Sequence, residues 1–317
     1  MTRDIVWFKD IRKGDVGIAG GKGANLGELT SAGIHVPPGF VVGTSAYEAF
    51  AEQNDLLPHI GALLSGLNPG DHAALQVVSQ EIKALITACH VPETTAGETR
   101  DAYGELGVDT RVAVRSSATA EDLAGASFAG QQATYLNIAG ADAVVEAVKS
   151  CWASLFEPQA IAYRARAGFD QLAVKMAVVV QAMVQSERSG VMFTINPVTG
   201  DSSQMVIEAV YGLGEACVSG QVTPDTYIVD KASLTAVERS ISEQDRQLVF
   251  DAAAGSDVWQ EIEAAARSQP KVSEEQLVEL SRLGLRIEEH YGAPQDIEWA
   301  LAGGELYSLQ ARPVTTI

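Results

Sequence analysis

Arg111-Val-Ala-Val-Arg-Ser-Ser-Ala-Thr-Ala-Glu-Asp122 ends a short apolar run in an arginine, hydroxyls and acids, and Ser127-Phe-Ala-Gly-Gln131 follows closely. Arginine presents a rigid fork of donors that matches phosphate oxygens. Small residues let backbone amides come close to an anion. A strand that carries Arg115 into such a loop is a candidate phosphate site, and an ordinary strand with a polar surface loop has the same composition.

Two other stretches point to the same chemistry. Gly20-Gly-Lys-Gly23 precedes an expected helix over 24–32, so Lys22 falls at a glycine turn where free N–H groups and the helix dipole favour an anion. The G-x-x-x-x-G-K-[ST] spacing of a Walker A loop is absent. Near the C-terminus, 296–301 and 306–312 alternate as strands about Ala302-Gly-Gly-Glu305. With Gly303-Gly304-Glu305 as the loop, Ala302 pairs with Leu306, Glu298 faces Gln310 and Asp296 faces Arg312. All four of these side chains then share one face. A carboxylate, an amide oxygen and an arginine so placed can hold Mg²⁺ and a polyphosphate, whereas a plain cross-strand salt bridge would do no chemistry.

The elements that must position these residues are legible in outline. Residues 4–8 and 36–42 read as strands, with Thr44 or Ser45 capping a helix that carries Tyr47 and Phe50. Residues 52–106 read as helical. Residues 133–137 read as a strand, 141–167 as one long amphipathic helix and 174–183 as a buried strand. Where that strand ends, Gln181-Ala-Met-Val184 could offer backbone groups to a flat heterocycle, with Met183 as a soft packing surface. An ordinary strand end fits the composition equally well. Strands are expected at 189–194, 204–209 and 226–229, and Ser273-Glu-Glu-Gln opens a helix by a capping pattern.

Composition narrows the function classes. The chain has 317 residues, 46% of them hydrophobic, and a formal charge of −19. That length suggests two domains or one two-lobed unit. The charge disfavours nucleic acid, and an anionic ligand would need a locally basic pocket. No apolar run approaches the ~20 residues of a membrane helix. Cys89, Cys151 and Cys217 are odd in number and widely spaced, which argues against a disulfide framework or zinc site and fits a reducing cytoplasmic compartment.

Taken in order, Gly20-Gly-Lys-Gly with Asn25-Leu-Gly, Val36-Pro-Pro-Gly-Phe40, Val114-Arg-Ser-Ser-Ala-Thr-Ala-Glu-Asp122, Ser127-Phe-Ala-Gly-Gln131, Ser189-Gly-Val-Met-Phe193, Gly212-Leu-Gly-Glu215, Tyr291-Gly with Asp296-Ile-Glu-Trp299, and Gln310-Ala-Arg-Pro313 resemble one family. It is the nucleotide-binding part of phosphoenolpyruvate synthase, whose relatives include pyruvate phosphate dikinase, rifampicin phosphotransferase and the small subunit of phenylphosphate synthase. The resemblance spans essentially the whole chain. It implies an α+β, ATP-grasp-like fold in two lobes, 1–184 with a helical insert and 185–317, with ATP between them. Lys22, Arg115 and Arg312 would be the catalytic phosphate-binding cations. Glu298 and Gln310 would hold Mg²⁺. Gln181, Ala182, Met183 and Val184 would meet the adenine, with Thr134 and the loop from Ser127 to Gly130 near the nucleotide.

The resemblance also implies a dikinase reaction, in which ATP gives its β-phosphoryl group to a histidine and leaves AMP and phosphate. None of the five histidines sits in a Thr-x-Ser-His-like context, so the acceptor is expected on another polypeptide or on the rest of a longer chain. The alternatives are a nucleotide-binding regulatory module without turnover, or an ATP-grasp ligase releasing ADP.

Overall fold

The structure is a computed structural model and describes residues 4–119 and 133–315. It is an α+β chain that divides into two compact units, 1–28 with 38–183, and 29–37 with 184–317. The sequence places residues 29–37 in the first lobe. They belong instead to the second unit, because Leu29 and Ile34 are buried in its core.

The first unit is built on a five-stranded antiparallel sheet. In chain order its elements are β1 (Ile5–Trp7), α1 (Val16–Ser31), β2 (Gly39–Val42), α2 (Thr44–Gln53), α3 (Leu56–Leu64), α4 (His72–Ala88), α5 (Glu93–Leu106), β3 (Val112–Ala118), β4 (Thr134–Ile138), α6 (Ala141–Ser154), α7 (Pro158–Ala167) and β5 (Met176–Ala182). The strand order is β1-β2-β5-β3-β4. Alternation splits the strands into two faces. Phe40, Val42, Val112, Val114, Val178 and Val180 face the main core with Phe50, Trp152 and Phe156. On the other face lie Val41, Val179 and Ser117, and α1 packs there: a Cβ on Gly23 would sit 3.0 Å from Val41 Cγ2.

Two local expectations are corrected here. The single helix over 141–167 is two helices, because Glu157 is extended and Pro158 starts α7 where its missing N–H costs nothing. Neither Thr44 nor Ser45 caps α2, whose N-cap is Gly43. The Thr44 hydroxyl donates to Gly17 O at 2.8 Å and the Ser45 hydroxyl to Asp4 Oδ1 at 3.0 Å, so both side chains tie the helix start to neighbouring segments.

The second unit carries β6 (Arg188–Phe193), β7 (Gln204–Tyr211), α8 (Glu215–Val218), β8 (Asp225–Asp230), β9 (Thr235–Ser240), β10 (Arg246–Asp251), β11 (Ser256–Glu261), α9 (Glu274–Tyr291), β12 (Gln295–Ala302) and β13 (Glu305–Pro313). Six strands form an antiparallel sheet in the order β13-β12-β6-β7-β8-β9, and β10 and β11 form a separate ribbon. Helix α9 begins with the expected capping box of Ser273 and Gln276. Its apolar stripe, Leu277, Leu280 and Ile287, is buried with Met192, Met205, Ile207 and Trp299 on one face of the sheet. Gly284 makes this close packing feasible, since a Cβ there would lie 2.9 Å from Met192 Sδ.

The C-terminal hairpin departs from expectation in an instructive way. Its loop is Gly303-Gly304, both at positive φ, and Ala302 pairs with Glu305 rather than Leu306. That is the two-residue turn glycines favour. The pairing then shifts between Glu298 and Trp299, where Trp299 faces Ser308 and Glu298 faces Gln310, so Leu309 is the extra residue of a β-bulge. The bulge restores the residue that the shorter turn removed. Glu298–Gln310 and Asp296–Arg312 are therefore paired as expected.

Candidate functional site

The first unit holds four of the expected residues around one sheet face. Arg115 on β3 pairs with Thr134 on β4 and with Val179 on β5, and Gln181 lies two residues beyond Val179. Arg115, Thr134 and Gln181 therefore share the face on which α1 packs. Arg115 and Gln181 are buried. Lys22 is half-buried on α1, and its charge reaches Cys151 on α6, where it opposes the upward push that burial gives that thiol.

The glycine turn is narrower than the sequence suggests. Helix α1 starts before it and is broken at Gly20 alone, with φ 67° and ψ 176°. A Cβ at Gly20 would lie 2.1 Å from Ser117 O, so only glycine fits. The Ser117 hydroxyl fills the break: it accepts from Gly23 N–H at 3.1 Å and donates to Ala19 O at 2.8 Å. These are the two groups that an unbroken helix would join directly. Neither serine after Arg115 is offered to a loop as expected. Both are fully buried on β3, and Ser116 Oγ bonds Ala133 O at 3.1 Å. Ser127 and Gly130 lie outside the described residues.

The stretch Gln181-Ala-Met-Val184 spans the boundary of the units, with Met183 the last residue of the first and Val184 within the second. Two of its donors are committed to protein: Ala182 N–H bonds Pro38 O and Met183 N–H bonds Arg111 O, each at 2.8 Å. Neither amide is available to a heterocycle without breaking a backbone bond.

The second unit gathers Asp296, Glu298, Gln310 and Arg312 on the sheet face opposite α9. Arg312 grips one carboxylate oxygen, with Nε 2.9 Å and Nη2 2.8 Å from Asp296 Oδ2. Burial nevertheless raises the Asp296 pKa; Arg312 opposes the shift and the nearby Glu298 adds to it. Val191 on β6 pairs with Glu298, and Glu208 on β7 belongs to the same face. Glu208 is raised by burial first and by Asp296 second. Its Oε2 lies 4.0 Å from Cys217 Sγ, whose thiol is pushed up to about 11, mostly by burial. The sequence did signal Glu208: it is the one acid inside the apolar run Met205-Val-Ile-Glu-Ala-Val210.

Among the described residues, no group of three or more His, Cys, Asp or Glu is placed to hold a metal ion. Glu298 and Gln310 supply two oxygen donors, which suits Mg²⁺ when phosphate oxygens and water complete its shell. No helix among the described residues is long and apolar enough to cross a membrane.

These features define an α+β chain whose two units are each built on an antiparallel sheet. Residues 16–317 match the family model of the pyruvate phosphate dikinase AMP/ATP-binding domain, and the chain belongs to that family. It is 48% identical to a probable phosphoenolpyruvate synthase of Methanothermobacter thermautotrophicus, over 100% of this chain and 47% of that protein. It is also 48% identical to one of Archaeoglobus fulgidus, over 99% of this chain and 42% of the relative. The rifampicin phosphotransferase of Streptomyces sviceus is 43% identical over 99% of this chain and 36% of its own length. The chain thus spans less than half the length of these relatives.

Proposed function

We propose that the chain is the ATP-handling module of a dikinase, with an ATP-grasp-like fold. Lys22, Arg115 and Arg312 neutralise the phosphates. Glu298 and Gln310 hold a Mg²⁺ that screens them further. Phosphoryl transfer asks mainly for positioning and for neutralisation of spreading charge, which such a residue set provides. Of the adenine contacts, the side chain of Met183 and the backbone of Val184 are the more suitable, since the amides of Ala182 and Met183 already serve the fold. The observation that carries the reading is the pairing of Glu298 with Gln310 beside Arg312, within a family match that runs from residue 16 to 317.

The β-phosphoryl group passes to a histidine nitrogen outside this chain, and AMP and phosphate are released. The chain's own histidines fit that role poorly. His35 packs against Tyr307 in a tilted arrangement, 4.2 Å between ring centroids, and His59 Nδ1 is 2.7 Å from Asp55 O. The test is incubation with Mg²⁺ and β-labelled ATP, alone and with a phosphohistidine-domain protein of the same source. Acid-labile label on the added protein together with AMP is the expected result. Release of ADP would instead identify a ligase, and stable label on this chain's histidines would require a self-contained kinase.

A further inference from the structure

We propose that Ser117 is a positioning residue for phosphate binding, acting by locking the Lys22 segment of α1 onto the strand that carries Arg115. The inference rests on the assignment of Lys22 to the phosphates and adds a residue that never touches the ligand.

The geometry is specific. Gly20 and Gly23 flank Lys22, and both are fixed to Ser117, one by backbone contact and one by a hydrogen bond. The contact at Gly20 leaves no room for a side chain, and its positive φ turns the chain at that point. The hydroxyl then replaces the lost helical bond between Ala19 C=O and Gly23 N–H with two bonds of its own, and Ser117 is fully buried. Both helix groups would be left unsatisfied without it, a costly state in a dry interior. Ser117 lies two residues from Arg115 on the same strand, so the two side chains leave the same face. One hydroxyl therefore sets the distance between the two cations of the first unit. An alanine would remove the hydroxyl and both of its bonds, and the Lys22 segment would be free to shift relative to Arg115.

A double-mutant cycle tests this. Mg²⁺-ATP affinity is measured by calorimetry for the unaltered chain, Ser117→Ala, Lys22→Ala and the double variant, with thermal melting of each. Ser117→Ala is expected to weaken ATP binding at least about five-fold, the size of one lost hydrogen bond, in a chain that still melts cooperatively. In the Lys22→Ala background the same change is expected to cost less than about two-fold, because its effect runs through Lys22. An equal loss in both backgrounds would overturn the positioning role and leave Lys22 standing. So would a lowered melting temperature with unaltered affinity. Full ATP affinity in Lys22→Ala would overturn the assignment of Lys22 itself, and the proposal with it. If Ser117→Ala does not fold, Ser117→Cys, slightly larger and with a much weaker hydrogen-bonding group, carries the same cycle with the same criteria.

Discussion

Arg312 meets Asp296 through two nitrogens on one carboxylate oxygen, at 2.9 and 2.8 Å. The guanidinium is thereby oriented before any phosphate arrives, while its side chain stays 42% exposed. Lysine would keep the charge and lose the fork. Arg312→Lys is expected to weaken Mg²⁺-ATP binding by roughly ten-fold with little change in melting temperature, since the lysine keeps a positive charge beside the partly buried Asp296 carboxylate. Calorimetry beside a melting curve checks both halves; undiminished affinity would remove Arg312 from the phosphate set.

On the proposed assignment, loss of Glu298 separates metal binding from phosphate binding. Glu298→Ala is expected to weaken ATP binding and to abolish its response to Mg²⁺, leaving a residual metal-independent affinity. Titrations with and without Mg²⁺ report this directly. A variant whose ATP affinity still rises with Mg²⁺ would rule out Glu298 as the ligand.

The second unit also holds a fully buried ion pair. Lys271 Nζ lies 2.9 Å from Asp225 Oδ1 with both side chains fully buried. Asp225 also accepts from Tyr227 Oη, Ser242 N–H and Lys271 N–H, each at 2.9 Å. Asp225→Asn leaves a buried ammonium without its counter-charge, and a loss of about 3–5 kcal/mol is expected in urea unfolding. A loss below about 1 kcal/mol would mean that water or a shifted lysine compensates.

Glu208 gives a pH signature. Burial, with Asp296 next, raises its pKa, so the folded chain holds this proton to higher pH than the unfolded chain does. The carboxylate therefore costs no stability below its unfolded pKa, about 4.3, and costs progressively more as pH rises through the folded value. Glu208→Gln removes that cost. Its melting temperature is expected to exceed that of the unaltered chain at pH 7, with the difference disappearing near pH 4. A variant that melts lower at pH 7 would show that the Glu208 carboxylate contributes a favourable interaction there.

The sequence by itself determined what depends on near neighbours in the chain. Alternation placed Asp296 and Glu298 on one face, and the Ser273–Gln276 box started α9, because side-chain direction and capping are settled within a few residues. Even the cross-strand partners came out as expected, although the loop was one residue shorter, because the bulge at Leu309 absorbed the difference. The tertiary structure alone decided three other matters. It turned Ser117 from an expected loop hydroxyl into the plug of a helix 94 residues away from its hydrogen-bond donor. It carried Glu208 onto the face of Glu298 through the intervening strand β6. It also gave residues 29–37 to the second unit. Each of these depends on which surfaces bury each other, and a backbone amide such as that of Gly23 has no sequence signature for the distant hydroxyl that will satisfy it.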